Sequence, residues 1–592
     1  YIISNSPPSV PFLIARGTLE GFSLSFRFMR TKLVIYQVFT RTFGNKNLTK
    51  REYGSLTENG AGKMSDFDKD VLRHIHDLGV THLWYTGVIR HATCTDYSAF
   101  GIPTQNPRVV KGRAGSPYAI TDYYDIDPDI AVDVDARMAE FEALIARTHA
   151  EGMKVIIDFV PNHVARQYKS IAKPEGVEDL GEGDDTGKHF DPQNNFYYCP
   201  GEQLDLSGVV ENVYAHDAEA YHEYPAKCTG NDRFDSHPQQ NDWYETIKLN
   251  YGVDYCDAGG RSYHYHPIPS TWKKMTDILL FWAAKGVDGF RCDMAEMVPH
   301  EFWAHATQQV KEHYPAMIFI GEVYDPNQYR LYVASGFDYL YDKVGMYDCV
   351  RGVICDERPA SSITQEWQKV DDIRDHMLYF LENHDEQRIA SDFFAANPWK
   401  AIPGMIVSAL LQQNPVMVYA GQEFGEKGMD KEGFSGCDGR STIFDYWSTE
   451  AIYKGFFNRK ALTTDEKKLS LVYQGLLRFC NREKAVREGL TFDLMYVNNQ
   501  SHHFNPNKQY VFMRKADNDV LLVVANFDSE RVNINVTIPS HAFDFLGLSE
   551  QTVEMTDLLS GYTKQVALRR DGQVAVDVEG NYGRIYKFVL KK

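Results

Sequence analysis

The chain has 592 residues, and its 62 basic against 81 acidic side chains give a formal net charge of -19. Such an acidic protein repels phosphate backbones and anionic lipid headgroups, so we expect neither nucleic acid nor a membrane surface as a partner. Hydrophobic residues make up 43% of the sequence, and no apolar run approaches the roughly 18 residues of a membrane helix. The length predicts one large core with smaller units attached.

The first 31 residues predict an irregular N-terminal extension. Residues 1–28 lack a basic segment followed by a sustained apolar stretch, so they make a poor signal peptide. Met29 is a candidate natural start, and the sequence enters a strand soon after it. We therefore expect a cytoplasmic protein. A leader removed upstream of Tyr1 would instead make the protein secreted or periplasmic.

From residue 32 onward, β-rich apolar runs alternate with segments of helical periodicity, which is typical of repeated βα units. The candidate strands are 32–39, 80–88, 154–161, 287–294, 317–324, 338–344, 377–385 and 415–423. The candidate helices include 65–79, 136–152, 271–286 and 363–377. This alternation predicts an α/β fold, a closed (β/α)8 TIM barrel. An open doubly wound sheet is the alternative, but the glycine-rich loop that it would carry after its first strand is absent.

Two stretches break the barrel pattern. Residues 165–270 are rich in Gly, Asp, Asn and aromatic residues and are far too long for a βα loop, so they predict an inserted domain after the third strand. Residues 463–488 predict a last amphipathic helix. Beyond it, short alternating runs predict a C-terminal antiparallel β-sandwich at 494–592. The barrel is thus expected in two parts, 32–164 and 271–493.

Nine cysteines, an odd number, show neither CxxC pairs nor the spacing of zinc ligands. We expect free thiols in a reducing compartment. A single disulfide among Cys199, Cys228 and Cys256 is the alternative. The sequence contains no HExxH motif and no clustered His/Cys pair, so these residue types do not predict a metal centre.

Four of the candidate strands end in groups of acids and bases. These groups are DFVPNHV (158–164), GFRCDM (289–294), GEVY (321–324) and ENHDEQR (382–388). The carboxyl ends of barrel strands form one rim, where catalytic residues lie. Cleavage of a glycosidic bond with retention needs two carboxyl groups about 5–5.5 Å apart. Asp293 and Glu322 end neighbouring strands, which run about 4.8 Å apart, so these two residues can meet that requirement.

The three rim carboxylates have distinct predicted roles. Asp293 is the candidate nucleophile, and Arg291 on the same strand face can hold it ionised. Glu322 is the candidate general acid and then base, and Asp385 can stabilise the positive charge of the transition state. Taken singly, each residue has a structural alternative: an ion pair for Arg291, a helix cap for Glu322 and a loop acid for Asp385.

The four groups resemble the four signature regions of the α-amylase superfamily, glycoside hydrolase family 13, and the likeness covers nearly the whole chain. SPYAITDYYDID places Tyr118 where that family has a ring stacking on the sugar next to the scissile bond, and PVMVYAGQEFG is similar to the family's eighth strand. The resemblance implies the same roles for the three carboxylates. It also implies residues that line or support the sugar-donor subsite: Asp158, His163, Arg291, His384 and Arg388.

Two further segments bear on metal binding and specificity. Many relatives carry Lys-His three and four residues after the nucleophile, where this chain has Glu296 and Met297. That histidine often holds calcium through its carbonyl, so the resemblance makes calcium a candidate cofactor, with Asn162 as its matched side-chain ligand. TIKLNYGVDY resembles the fifth region of neopullulanases and cyclodextrin-degrading enzymes, which makes Lys248 a candidate substrate-binding residue.

The sequence therefore predicts a retaining hydrolase that cleaves α-1,4-glucosidic bonds in starch, glycogen or maltodextrins through a glycosyl-Asp293 intermediate. Its partner would be this α-glucan, and aromatic residues of the inserted domain are expected to form one wall of the cleft: Phe196, Tyr197, Tyr198, Trp243 and Tyr244. Alternatives are an exo-acting α-glucosidase, a neopullulanase or cyclomaltodextrinase, and a 4-α-glucanotransferase. A non-catalytic carbohydrate-binding barrel is a further alternative, since a fold does not dictate function.

Overall fold

The computed structural model describes residues 31–428, 431, 433–434, 436–501 and 503–590. The predicted extension at 1–31 therefore lies outside the described residues, except for its last residue. All the elements below belong to one compact unit that begins at Lys32. None of the helices in the described ranges is both long and apolar enough to cross a bilayer.

The strands of the described residues are numbered in chain order. They are β1 (Val34–Phe39), β2 (His82–Thr86), β3 (Ile89–His91), β4 (Ile120–Ile126), β5 (Lys154–Phe159), β6 (His163–Ala165), β7 (Tyr198–Cys199), β8 (Ala226–Lys227), β9 (Thr246–Lys248), β10 (Val253–Asp254), β11 (Ser262–Tyr263), β12 (Gly289–Cys292), β13 (Ile318–Gly321), β14 (Tyr339–Tyr341), β15 (Met377–Phe380), β16 (Val416–Tyr419), β17 (Leu490–Asp493), β18 (Gln509–Ala516), β19 (Asp519–Asn526), β20 (Val532–Ile538), β21 (Gln551–Asp557), β22 (Thr563–Leu568), β23 (Gly572–Val578) and β24 (Tyr582–Val589).

The α-helices of the same residues are numbered likewise. They are α1 (Thr40–Phe43), α2 (Leu56–Asn59), α3 (Lys69–Asp77), α4 (Arg137–Ala150), α5 (Ser270–Ala284), α6 (His300–His313), α7 (Tyr329–Ala334), α8 (Asp348–Ile354), α9 (Ser362–Lys369), α10 (Ile402–Leu410), α11 (Glu450–Ile452), α12 (Thr464–Arg482), α13 (Lys484–Glu488), α14 (Met495–Asn498) and α15 (Ser540–Leu546).

Eight parallel strands close into a barrel in the order β1, β2, β5, β12, β13, β14, β15, β16 and back to β1. Each lies within one of the eight predicted strands, so the predicted TIM barrel is confirmed. Because side chains alternate along a strand, one set fills the barrel and the other meets the helices. The interior set contains Ile35, Trp84, Ile156, Ile320, Tyr341, Leu378, Phe380 and Met417.

The helices cover the outside of the barrel and bury their apolar faces against the strands. Three of the predicted helices form with shifted ends, as α3, α4 and α5. The fourth was predicted to reach residue 377, but α9 ends at Lys369. Asp371 and Asp372 follow it, and each binds an arginine instead, Arg374 and Arg330 respectively. Asp is a poor residue inside a helix because it competes for local hydrogen bonds, which explains the early end.

The inserted segment, residues 160–269 between β5 and α5, contains very little regular structure. Its strands have two or three residues each and pair as β6 with β9, β7 with β8 and β10 with β11. Its own apolar core consists of a few buried residues: Tyr197, Cys199, Leu204, Ala226 and Cys228. A core this small stabilises a segment weakly on its own.

The C-terminal part is antiparallel. A six-stranded sheet has the order β17, β18, β19, β24, β21, β22, and β20 pairs with β23 in a second sheet. Because Leu490–Asp493 pairs with β18, this sheet begins before residue 494. Helix α10 packs against β15 of the barrel and against β19 and β24 of the sheet.

Candidate active site

Asp293 and Glu322 leave adjacent strands side by side. β12 and β13 pair in register with Cys292 opposite Gly321, and each carboxylate follows its strand directly. The backbone N–H of Asp293 donates to the carbonyl of Phe159 at 2.9 Å, and that of Glu322 donates to the carbonyl of Cys292 at 3.1 Å. Because the ladder hydrogen bonds extend to both residues, their side chains have fixed directions at the carboxyl rim.

One arginine joins the two carboxylates. Arg291 Nη1 donates to Asp293 Oδ1 at 2.7 Å, and Arg291 Nη2 lies 2.7 Å from Glu322 Oε2. The guanidinium is fully buried, and three rings lie 5.4 to 5.6 Å from its carbon: Trp84, Tyr118 and Tyr341. A planar cation bound at both ends holds the carboxylates near one another. This favours the close spacing of retaining glycosidases over the wider spacing of inverting ones.

Burial and neighbouring charges shift the pKa of Asp293. Burial raises the pKa of Asp293 well above its ordinary value, Arg291 opposes this rise, and the negative charge of Glu322 adds to it. Arg291 thus favours the ionised form of Asp293, which is the form that a nucleophile requires.

Two donors besides Arg291 fix Glu322. The backbone N–H of Met294 donates to Oε2 at 2.8 Å, and the Tyr324 hydroxyl donates to Oε1 at 2.6 Å. Met294 has a φ of 42°, a left-handed conformation that is uncommon for a residue with a side chain. This turn directly after Asp293 aims the N–H at Glu322. Sequence reasoning missed Tyr324, although its position two residues after Glu322 in GEVY gave a signal.

Asp385 lies at the mouth of the site, with its side chain 41% exposed. His384 Nε2 lies 3.0 Å from Asp385 Oδ2, and Gln37 Nε2 donates to His384 Nδ1 at 2.8 Å, so the ring proton belongs on Nε2. Desolvation acts to raise the pKa of Asp385, but His384, Arg291 and Arg440 outweigh it and lower the pKa to about 2. Asp385 is therefore ionised over the whole range in which the protein would work.

The position of Tyr118 is fixed by contacts with His384 and Asp158. Its ring stacks on His384 at a centroid distance of 5.2 Å, and its hydroxyl lies 2.5 Å from His384 Nε2. The same hydroxyl donates to Asp158 Oδ1 at 3.2 Å, and Trp84 Nε1 donates to Asp158 Oδ2 at 3.2 Å. Burial raises the pKa of Asp158. Asp158 thus supports Tyr118 from below.

These residues surround one pocket at the rim. Of the predicted site residues, those that line it are Tyr118, His163, Asp293, Glu322 and Asp385. Lining residues without a predicted role in binding are Lys111, Ser116, Glu245, Thr246, Met294, Tyr324, Ile443 and Phe444. Of the five aromatic residues expected to form a wall of the cleft, Trp243 lines this pocket. Its ring lies 5.2 Å from that of His163. The wall thus combines the inserted segment with the loop after β16.

His163 is a neutral residue in this wall. It begins β6 and pairs with Lys248 of β9. Burial and the nearby ammonium groups of Lys248 and Lys111 lower the pKa of His163 to about 3. A neutral imidazole can donate to or accept from a sugar hydroxyl.

Arg388 does not line the pocket. It was expected to line or support the sugar subsite, and because it is buried and is not among the pocket-lining residues, the supporting role is the one that stays a prediction. Its Nη1 donates to Glu382 Oε2 at 2.9 Å and to the carbonyl of Ala420 at 3.0 Å, and its Nε donates to Ser441 Oγ at 2.9 Å. Arg388 therefore ties the loops after β15 and β16 together.

Comparison with known proteins identifies the family. The model of the α-amylase catalytic domain matches residues 37–489. The chain belongs to the α-amylase family. It is 25% identical to Alpha-amylase MalA of Haloarcula japonica over 550 residues, 92% of this chain and 60% of that protein. It is 22% identical to Alpha-amylase 3 of Dictyoglomus thermophilum, over 74% of each chain.

The fold of an α-amylase from Geobacillus thermoleovorans, solved in complex with acarbose, superimposes with a TM-score of 0.62 at 18% identity. The match covers 95% of this chain and 99% of that one. The α-amylase architecture thus extends over the C-terminal sheet as well as the barrel. The chain spans less than two thirds of the length of MalA. Its activity is therefore argued from its own residues and not from that relative.

The calcium that the α-amylase family often binds does not fit the residues around Asn162. The Lys248 ammonium donates to Asn162 Oδ1 and to the carbonyl of Met297 at 3.2 Å, and it pairs with Asp232 Oδ1 at 2.6 Å. A cation therefore already occupies the centre of these oxygens, and it would repel a divalent ion. Lys248 is buried in this cluster and is not among the pocket-lining residues, so its contact with substrate stays a prediction.

Proposed function

We propose that this protein is a retaining glycoside hydrolase that cleaves α-1,4-glucosidic bonds in starch, glycogen or maltodextrins. The observation that carries the proposal is the Arg291 guanidinium, which holds Asp293 and Glu322 together beside the pocket. Retention requires this close pairing of a nucleophile with an acid. A non-catalytic barrel would have no need of a buried, cation-bridged pair.

In the first half of the reaction, the sugar carbon C1 lies between the two acids. Glu322 transfers its proton to the glycosidic oxygen, the bond from C1 to that oxygen breaks, and an oxygen of Asp293 bonds to C1. The leaving sugar departs as an alcohol. Positive charge develops on the ring as the bond breaks, and the ionised Asp385 beside it stabilises that charge.

In the second half, water replaces the departed sugar. Glu322, now ionised, takes a proton from this water while the water oxygen attacks C1. The bond between C1 and Asp293 breaks at the same time. Glu322 regains the proton that it gave, and Asp293 regains its charge. Two inversions at C1 leave the configuration of the sugar retained.

The test uses Asp293→Asn and Glu322→Gln on maltoheptaose. We expect each variant to lose activity by a factor of about 10²–10⁴ or more, because each lacks one of the two essential groups. Asp372→Asn is a matched control, since this carboxylate pairs with Arg330 on an exposed surface. Near-normal turnover by either site variant would contradict the proposal.

The fate of the intermediate decides the finer class. This fate can be followed by thin-layer chromatography of the products formed over time from starch, pullulan and a cyclodextrin. A ladder of long products supports the proposed endo-acting hydrolase. Glucose as the sole product from the start would indicate an α-glucosidase. Products longer than the substrate would indicate a 4-α-glucanotransferase. A preference for pullulan or cyclodextrin would indicate a neopullulanase or cyclomaltodextrinase.

We also infer a reducing, cytoplasmic location. The support is that the other eight cysteines besides Cys437 form no disulfide in the described structure, and five of them are buried. Disulfides form and persist in oxidising compartments, so a secreted protein with this many cysteines would be expected to contain some. Immunodetection in separated cell fractions tests the location, and recovery in the medium would contradict it.

A further inference from the structure

Four side chains from three different parts of the inserted segment lie near one another beside β7 and β8: His189, Cys199, Cys228 and Cys256. One ring nitrogen of His189 and the sulfur atoms of Cys199 and Cys228 all lie within 4.8 Å of one another. The two sulfur atoms are 3.9 Å apart. Cys256 Sγ lies 3.3 Å from His189 Nε2. One imidazole and two thiols therefore form a mutual cluster, and Cys256 adjoins it through its contact with His189.

The imidazole is oriented as a metal ligand. His189 Nδ1 lies 2.6 Å from the carbonyl of Tyr198, which can only accept, so Nδ1 carries the proton. In the neutral ring this leaves the lone pair on Nε2, the atom that faces Cys256. Metal-binding histidines almost always donate their other nitrogen to a carbonyl or carboxylate in this way, which fixes the tautomer and the ring plane.

The backbone fixes the positions of two of the thiols. Cys199 ends β7 opposite Ala226 of β8, and Cys228 follows β8 directly. The N–H of Cys228 donates to the carbonyl of Tyr197 at 3.1 Å, which prolongs the pairing to the cysteine. Both side chains are buried, whereas Cys256 lies exposed on the turn after β10. The group is thus anchored on a ribbon, and a surface loop can close over it.

The distances fit a tetrahedral ion. Zinc binds thiolate at about 2.3 Å and imidazole at about 2.0–2.1 Å, so neighbouring donors around it lie roughly 3.5–3.8 Å apart. The observed 3.9 Å between the sulfurs of Cys199 and Cys228 and 3.3 Å between Cys256 and His189 lie close to that range. Cys256 is outside the set of donors that lie within 4.8 Å of one another, so its surface turn would have to move toward the two buried thiols to complete the tetrahedron. A disulfide would instead bring the sulfurs to about 2.05 Å and leave the histidine without a role.

We propose that His189, Cys199, Cys228 and Cys256 bind one zinc ion as a structural site. Binding would release the protons of the thiols and leave three thiolates and one neutral imidazole on the ion, with no redox change. This ligand set with no open position is typical of structural rather than catalytic zinc.

The ion would stabilise the segment that forms one wall of the pocket. The carbonyl of Cys228 accepts from the N–H of Lys248 in β9, at 2.9 Å. The same stretch of chain supplies Trp243 and Thr246 to the pocket. Because the separate core of the inserted segment is small, a metal that links several of its loops would add to the stability that the segment gains by packing on the main core.

Cobalt(II) substitution of the full chain tests the site without any activity assay. The protein is stripped with a chelator under reducing, anaerobic conditions and titrated with Co²⁺. We expect one equivalent to bind, with a thiolate-to-cobalt charge-transfer band and the intense visible bands of a tetrahedral ion, and one equivalent of Zn²⁺ to abolish them. Metal analysis of the untreated protein should find one zinc per chain.

Cys199→Ser and His189→Ala should lose the charge-transfer band or weaken it. Cys355→Ser is the matched control, because this half-buried thiol donates to the carbonyl of Phe394 outside the inserted segment, and serine can do the same. The wild-type spectrum decides the matter even if a variant fails to fold. Absence of the band in wild type, its survival in Cys199→Ser, or a Cys199–Cys228 disulfide found by mass spectrometry would overturn the proposal.

Discussion

Arg291 is the residue on which the site depends, although it touches no solvent. Its two nitrogens meet Asp293 and Glu322 at 2.7 Å each, and a third acid, Asp158, lies 3.9 Å from Nη1. Without Arg291, the acids would keep neutral donors such as the Met294 N–H and the Tyr324 hydroxyl but would lose the positive charge that offsets their mutual repulsion. Breaking such a buried arrangement leaves uncompensated charges, which is strongly unfavourable.

Arg291→Lys should shift the acid limb of the pH profile of kcat/KM to higher pH. Arg291 lowers the pKa of Asp293, so a lysine that reaches only one carboxylate lets that pKa rise further. Asp293 must be ionised to attack, and a higher pKa therefore removes activity at the acid end first. We also expect kcat to fall by a factor on the order of 10²–10³.

The control for that variant is Arg388→Lys. Arg388 is equally buried on the same rim but bonds Glu382 rather than the catalytic pair. It should lose stability while its acid limb stays in place. An unmoved limb in Arg291→Lys would show that Arg291 does not set the ionisation of Asp293.

Glu423 gives a separate prediction about stability and pH. It is fully buried, with the Tyr36 hydroxyl donating to Oε1 at 2.6 Å, and burial raises its pKa from 4.5 to about 7. The folded protein then keeps a proton that the unfolded chain releases, so this contribution is complete below pH 4.5 and is lost as the pH rises through about 7. The difference is on the order of 3 kcal/mol.

Glu423→Gln should therefore reduce the loss of unfolding free energy between acid and neutral pH. Urea denaturation at both ends of this window measures the change. The exposed Glu357→Gln is the control and should leave the pH dependence as it is in wild type. Equal slopes for Glu423→Gln and wild type would mean that Glu423 is ionised in the folded protein at neutral pH.

At the scale of elements, the barrel strands were predictable because each combines a short apolar run with a polar group at its end. β12 and β13 illustrate this: GFRC and IFIG are apolar except for Arg291, and a carboxylate follows each. Topology then places these ends on one rim, whatever the intervening loops do. This is why Asp293, Glu322 and Asp385 could be singled out from sequence and lie at one pocket.

The inserted segment was less predictable because its contacts join residues that are far apart in the chain. Lys248 and Asn162 are separated by 86 positions, and His189 and Cys256 by 67. Neither pair belongs to a regular helix or a long strand whose period would bring it together. Arg388 shows the same limit, since its partners Ala420 and Ser441 lie on another loop. Local pattern identifies these residue types but not their partners.

Lys248→Ala tests whether the Lys248 ammonium holds together the oxygen atoms around it in the inserted segment. The change leaves Asn162, Asp232 and the Met297 carbonyl without their cation. Because the Asp232 side chain is one-third exposed and water can reach its charge, we expect a loss of about 1–3 kcal/mol of stability. These oxygens then form a group of hard ligands of the kind that calcium prefers. Millimolar calcium should therefore raise the Tm of Lys248→Ala but leave that of wild type unchanged.

The zinc content must be equal in the two samples of that comparison. Lys188→Ala serves as the control, because its exposed ammonium pairs with Asp185 and Asp191 at the surface of the same segment. A calcium-dependent rise of the Tm in wild type would indicate that the ion displaces the Lys248 ammonium or binds elsewhere. The lysine would then not substitute for calcium.

At the scale of the whole molecule, the barrel and the C-terminal sheet share one core. Every residue of α10 is buried, and this helix contacts strands of both parts. Arg514 of β18 is fully buried at the junction, where Nη1 donates to the carbonyl of Leu410 at 2.7 Å and Nη2 donates to those of Val486 and Gly489 at 2.9 Å. An apolar helix with no exposed face cannot stay folded in water if one of its two neighbours unfolds.

We therefore expect the protein to unfold in a single thermal transition. We expect Arg514→Met to lower the Tm of that transition without splitting it. Methionine fills the space of the side chain but removes the guanidinium donor from three carbonyl oxygens, of which that of Gly489 still accepts from the Gln413 amide. A carbonyl left without a donor where water cannot reach costs about 1–3 kcal/mol. Arg531→Met is the control, since its pair with Asp577 lies exposed to solvent, where such pairs contribute little to stability. Calorimetry distinguishes the outcomes: if Arg514→Met splits the transition and one part melts at the wild-type temperature, the barrel and the sheet unfold independently and α10 does not couple them.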